Sequence, residues 1–186
     1  VDLADGTVAA ADVDSDALWL VGGNSFATTT AKVLGSSNLA PLEFHAGGSR
    51  VQRFEPSSVS PNVIAGHPGN AATAGVRGAT IAGGGVPLGD SDPVTLGEAP
   101  NRVADSYGSI GGGYANVVGN DAGTTSDNVF ATVGGGIANV ASGRHSVIGG
   151  GPTNAATAAG STIGGGAAND ATASGSTVGG GISNLV

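Results

Sequence analysis

The sequence predicts an all-β chain wound as a β-solenoid, and three observations predict it. Gly triplets begin at Gly83, Gly111, Gly134, Gly149, Gly164 and Gly179, so the last three intervals are 15 residues each. A β-branched residue stands just ahead of each triplet, as Ile81 (before Ala82), Ile110, Val133, Ile148, Ile163 and Val178. An Asn follows three residues beyond the last Gly in five of the six, as Asn116, Asn139, Asn154, Asn169 and Asn184. Self-similarity at one short period marks a repeat architecture, in which each unit is too thin to bury its own apolar face and stacks on its neighbours.

The irregular spacings reduce to insertions of definite size. Asn101 takes the part of the missing Asn, with 13 extra residues between Gly85 and Asn101 and eight between Asn116 and Gly134. A degenerate first copy runs from Val63 to Asn70. One rung reads Asn-x-Ala-Ser/Thr-x-x-x-x-Ser/Thr-Ile/Val-Gly-Gly-Gly-x-x. Fifteen extended residues cover about 50 Å, enough for two short strands and two corners, and successive rungs stack at about 4.8 Å. Side chains alternate across a strand, so the Ile/Val column points inward while Thr80, Ser109, Thr132, Thr162 and Thr177 point outward, with Val147 breaking that set. A helix would need apolar residues at 3.6-residue intervals without Gly runs, and neither condition holds. The Asn column is expected at a corner, where Asn tolerates left-handed backbone angles and its amide bonds to the Asn above and below.

Composition agrees with a thin architecture. Of 186 residues 36 are Gly and 30 Ala, aromatics make up 4%, and there is no Met, so the bulk for a close-packed globular core is missing. The net charge of -8 opposes the counterion release on which nucleic-acid binding depends. Without Cys there is no disulfide, thiolate metal site or cysteine nucleophile. The longest apolar run, 17–21, is far short of a membrane span, so no membrane insertion is expected of this segment.

Three regions follow along the chain. Residues 1–33 are an N-terminal strand or linker segment. Residues 34–60 read as a β-hairpin connector, with Leu42, Phe44 and Val51 alternating around Ala46-Gly47-Gly48-Ser49. Within it, Arg50 and Arg53 either pair with Glu43 and Glu55, inside or between chains, or remain solvated. Residues 61–186 are the Gly-rich solenoid, with Pro56 and Pro61 marking the boundary.

Each rung offers one Ile or Val and some Ala, roughly 2 kcal/mol of burial against the ordering of its residues, so one column alone is marginal. Recurrence of glycine at a fixed phase marks close approach of another backbone. Gly112, Gly135, Gly150, Gly165 and Gly180 are therefore read as assembly glycines, and the expected partner is the chain itself, as a closed homotrimer. The recurrent Ser/Thr-Ile/Val-Gly-Gly-Gly-x-x-Asn-x-Ala pattern over 63–186 resembles the head repeats of YadA-type trimeric autotransporter adhesins and related repeats of phage and bacterial tail-fibre-like proteins. Its longer period and triple Gly depart from the YadA-type repeat. The hairpin region is similar to a connector found ahead of such repeats. The resemblance implies a left-handed parallel β-roll with three intertwined copies, on a fibre at a cell or virion surface.

Residues that carry chemistry are sparse. Asp12, Asp14 and Asp16 offer oxygens at a spacing seen in calcium loops, but Ala17 and Gly23 stand where an EF-hand needs Gly and Glu; a solvated acidic segment is the competing reading. Asp90 and Asp92 in the first insertion and Asp121 and Asp127 in the second are candidate binding loops, since solenoid insertions emerge on one side. His45, His67 and His145 are isolated, and no catalytic or cofactor motif is found. The expectation is therefore a non-enzymatic extracellular fibre or adhesin segment, without cofactor, that displays loops toward a surface receptor or glycan. The alternative is a filament subunit joined head to tail, a strand at 7–9 of one chain pairing with the uncharged edge after Thr177 of the next.

Overall fold

A computed structural model of the chain describes residues 38–86 and 99–186. Asp12, Asp14, Asp16, the strand expected at 7–9, Asp90 and Asp92 lie outside the described residues. Among the described residues every regular element is a β-strand. The first pair is the hairpin, β1 (Leu42–Ala46) and β2 (Ser49–Glu55), antiparallel with Leu42 opposite Phe54. Gly47 and Gly48 both take positive φ, 58° and 79°, the tight two-residue turn that matches the twist of its strands. A register shift between Phe44 and His45 marks a bulge.

Beyond the hairpin the strands shorten and repeat. The Ile/Val positions lie on β3 (Asn62–Ala65), β5 (Thr80–Ile81), β7 (Ser109–Ile110), β9 (Thr132–Val133), β11 (Val147–Ile148), β13 (Thr162–Ile163) and β15 (Thr177–Val178). These join in parallel, with Ile64, Ile81, Ile110, Val133, Ile148, Ile163 and Val178 aligned in one column. The hairpin belongs to the same nine-stranded sheet, because β2 pairs antiparallel with β3. It thereby covers the edge that β3 would otherwise present.

A second sheet is built from the residues after each Asn: β4 (Ala71–Ala72), β6 (Arg102–Val103), β8 (Val117–Val118), β10 (Val140–Ala141), β12 (Ala155–Ala156) and β14 (Asp170–Ala171), all parallel and in sequence order. Its inward column is Ala72, Val103, Val118, Ala141, Ala156 and Ala171. The two columns form the core, and all but Ala72 are buried. From β5 on, the outward neighbours in both sheets are exposed or half-buried, so the alternation expected for the Thr column is present. Single parallel bridges just after the triplets, Tyr114 to Ile137, Ile137 to Pro152 and Ala167 to Ile182, form a third line of contact. The described residues are thus a β-solenoid with two parallel-rich sheets of short strands.

Candidate functional site

The Asn column is a continuous hydrogen-bonded spine. Asn101, Asn116, Asn139, Asn154 and Asn169 are buried, which is costly for an amide unless every group is met. The N–H of Asn154 donates to Oδ1 of Asn139 at 3.0 Å, and its Nδ2 donates to that same oxygen at 3.1 Å. Nδ2 also donates to the carbonyls of Gly150 at 3.0 Å and Gly166 at 2.9 Å. The same four bonds recur at Asn116, Asn139 and Asn169. The spine begins at Asn70, whose Oδ1 accepts the N–H of Asn101 at 2.8 Å.

One local detail differs from the sequence expectation. The left-handed backbone falls on the residue before Asn116, Asn139, Asn154, Asn169 and Asn184, that is on Ala115, Ala138, Thr153, Ala168 and Ser183, with φ between 53° and 57°. The chain reverses there, which leaves the Asn side chain directed into the spine.

The three glycines of a triplet have different environments. A Cβ added to the first glycine, as at Gly134, Gly149 or Gly164, would stand within 3.0 Å of the carbonyl oxygen of the following rung. The third is equally tight at Gly136, Gly151 and Gly166, and there φ is also left-handed. From the second triplet on the middle one is open: a Cβ at Gly112, Gly165 or Gly180 meets nothing within 4 Å, and at Gly135 and Gly150 only a carbonyl oxygen at 4.0 and 3.9 Å. In the first triplet, offset by Ala82, the open glycine is Gly83 and Gly84 is tight. Gly135, Gly150, Gly165 and Gly180 do not have left-handed φ either. Nothing inside the chain requires glycine at these four positions.

A second corner carries bulky residues on a glycine phase. Three residues before the inward Ile/Val, the rungs place Gly78, Tyr107, Phe130, His145, Gly160 and Gly175, all with φ between 59° and 71°. The Tyr107 and Phe130 rings stack at 5.0 Å, and His145 tilts against Phe130 at 5.5 Å. These ring contacts accompany a conformation that bulky residues rarely adopt.

Charged groups gather at the hairpin and the second insertion. Arg53 pairs with Glu55 at 3.1 Å and with Glu43 at 3.6 Å, whereas Arg50 donates to the carbonyls of Pro68 and Asn70. In the insertion, the Arg102 guanidinium grips both oxygens of Asp121, Nη2 to Oδ2 at 2.7 Å, and holds that carboxyl below its ordinary range. Asp127 closes the same loop, with Oδ2 at 3.3 Å from Asn128 Nδ2. It acts on Asp105, a residue outside the repeating Asn and Ile/Val columns, which is wholly buried. The signal for Asp105 was its rung position, two residues after the inward Val103, where later rungs carry Gly143, Ala158 and Ala173. Burial, reinforced by Asp127, raises its carboxyl pKa against the lowering effect of the Asn120 amide.

His45 Nε2 lies 3.1 Å from Glu43, and His67 Nδ1 accepts the N–H of Gly69 at 3.1 Å. The three histidines occupy separate sites: the hairpin, the first degenerate triplet and the aromatic corner. Compared with known proteins, the chain matches no family model and no curated protein sequence.

Proposed function

We propose that this chain is a non-enzymatic segment of an extracellular fibre or adhesin, at a cell or virion surface. In this reading residues 61–186 form a left-handed parallel β-roll of 15-residue coils, three copies intertwine, and the insertions are displayed outward toward a surface receptor or glycan. The observation that carries the reading is the middle glycine. A residue free of intrachain constraint would ordinarily vary, and glycine there loses more chain entropy on folding than Ala would. Gly135, Gly150, Gly165 and Gly180 nevertheless recur rung after rung beside a line of carbonyls. A second copy of the chain against this face supplies the missing reason.

The test compares Gly149→Ala with Gly150→Ala by sedimentation equilibrium and thermal unfolding. Gly149→Ala clashes with the Gly164 carbonyl and lowers stability in any assembly state. Gly150→Ala fits within the single chain, where the loss of glycine entropy would stabilise it by about 0.4–1 kcal/mol. In a trimer packed through this face, Gly150→Ala instead weakens association by tenfold or more. A wild-type chain that sediments as a folded monomer, or a Gly150→Ala variant that assembles as tightly as wild type, would overturn the reading.

A further inference from the structure

We propose that Asp105 and Asp127 form a site for a divalent cation of the calcium class, held beneath the loop 120–128. The Asp105 carboxylate is the starting point. Its Oδ2 accepts the N–H of Asn120 at 2.9 Å, but its Oδ1 is buried without a hydrogen-bond partner. The Asp127 carboxylate, which raises the Asp105 pKa, has no proton to offer when ionised, and the backbone N–H of Asn128 is the other group that acts on Asp105. Two facing carboxylates, one of them buried, carry an unmet negative charge that a bound cation removes.

Further features suit a hard cation. The loop that carries Asp127 also brings oxygens: the Thr124 carbonyl lies 3.5 Å from the Asp127 N–H, and the Thr124 and Ser126 hydroxyls are 3.0 Å apart, while the amides of Asn120 and Asn128 approach Asp105 as donors. Oxygen donors of mixed charge select calcium over softer metals. Asp127 is exposed, so an ion can enter from solvent. The loop is also anchored, by Asp121 on Arg102 and by the Thr125 carbonyl, which accepts the Ser106 N–H at 2.8 Å. Gly119, with φ of 83°, lets the chain pass close over Asp105, since a Cβ there would stand 2.7 Å from Oδ2. With two carboxylates, affinity falls in the weak class of extracellular modules, about 0.1–1 mM. The proposal does not depend on the trimer.

The experiment is thermal unfolding of the full chain with calcium chloride up to about 10 mM, against magnesium chloride and potassium chloride at matched ionic strength. Calcium at ten times the dissociation constant should raise Tm by about 3–6 °C, with magnesium giving less than half of that. Asp127→Asn and Asp105→Asn should each abolish the calcium shift. Asp105→Asn should in addition raise Tm in the absence of calcium, because its amide can donate to Asp127. No calcium shift in wild type overturns the proposal, including the case where mild acid alone stabilises the chain because the pair shares a proton. An equal shift with magnesium, or a calcium shift that survives either substitution, overturns it as well.

Discussion

The rungs from Asn139 onward and those before it solve the same packing problem with different materials. In the later rungs the nine-stranded sheet contributes Ile148, Ile163 and Val178, and the six-stranded sheet faces them with Ala141, Ala156 and Ala171. In the earlier rungs the facing column is the half-buried Ala72 followed by Val103 and Val118, the first rung also buries Val76, and the second insertion buries Val129. Ionic and aromatic contacts follow the same division. Arg102 with Asp121, Asp105 with Asp127 and the stack of Tyr107 on Phe130 all belong to the earlier rungs. Repetition therefore supplies a narrow frame held by the Asn spine, while departures from repetition supply bulk and chemistry.

The largest way to break this contrast is to cut the spine. Asn154→Ala removes the acceptor of two Asn169 donors, which are buried, and the donor to the Gly150 and Gly166 carbonyls, which are part-buried. Leaving two buried donors and two part-buried carbonyls unmet costs about 3–5 kcal/mol. Asn128→Ala, in the insertion, gives up a 3.3 Å contact with an exposed carboxylate and should change stability by less than about 0.5 kcal/mol. Denaturant titration of the two variants measures the difference. If they cost the same, the spine is not what holds the regular rungs.

A smaller effect tests the width of the core. Ala156 is wholly buried between Ala141 and Ala171, so Ala156→Val adds two methyl groups where the neighbouring rungs leave little room, at a cost of about 1–3 kcal/mol. Val118→Ala makes the reciprocal change at the wider end and should also destabilise, by about 2 kcal/mol through the cavity it leaves. A stabilising Ala156→Val would show that the regular rungs are loosely filled, and would erase the distinction between the two halves.

The sequence made the repeating part legible because period and chemistry coincide there. The inward positions of Ile110, Val133, Ile148, Ile163 and Val178, and the stacked Asn column, follow from spacing alone. The hairpin was legible from Gly47-Gly48 between alternating apolar residues. The six-stranded sheet was harder to see, because Ala141, Ala156 and Ala171 have too little apolar contrast to mark an inward column. Asp105 was hidden for a different reason: burial of a carboxylate depends on a loop folding back over it from Asn120, and no local pattern encodes that return. The pairing of Arg50 with backbone carbonyls was likewise out of reach, since its partners lie 18 and 20 residues away.

The smallest prediction concerns backbone strain within the regular rungs. Thr153 precedes Asn154 with φ of 56°, a conformation that costs a non-glycine residue about 1–2 kcal/mol and suits a β-branched one least. Its side chain is exposed, and its N–H donates to the Ile137 carbonyl at 2.8 Å, a bond that glycine retains. Thr153→Gly thus relieves the strain and removes no buried contact. Against this stands the greater freedom of glycine in the unfolded chain, about 0.5–1 kcal/mol. The net expectation is a gain of about 0.5–1 kcal/mol, read as a rise in Tm of a few degrees. Ala168 and Ser183 occupy the same phase with φ of 53° and 57° but lack the second γ branch, so Ala168→Gly should gain less than Thr153→Gly. Equal losses at both positions would show that the entropy of glycine outweighs the relief of backbone strain at this corner, whereas a loss at Thr153 alone would show that its side chain stabilises it.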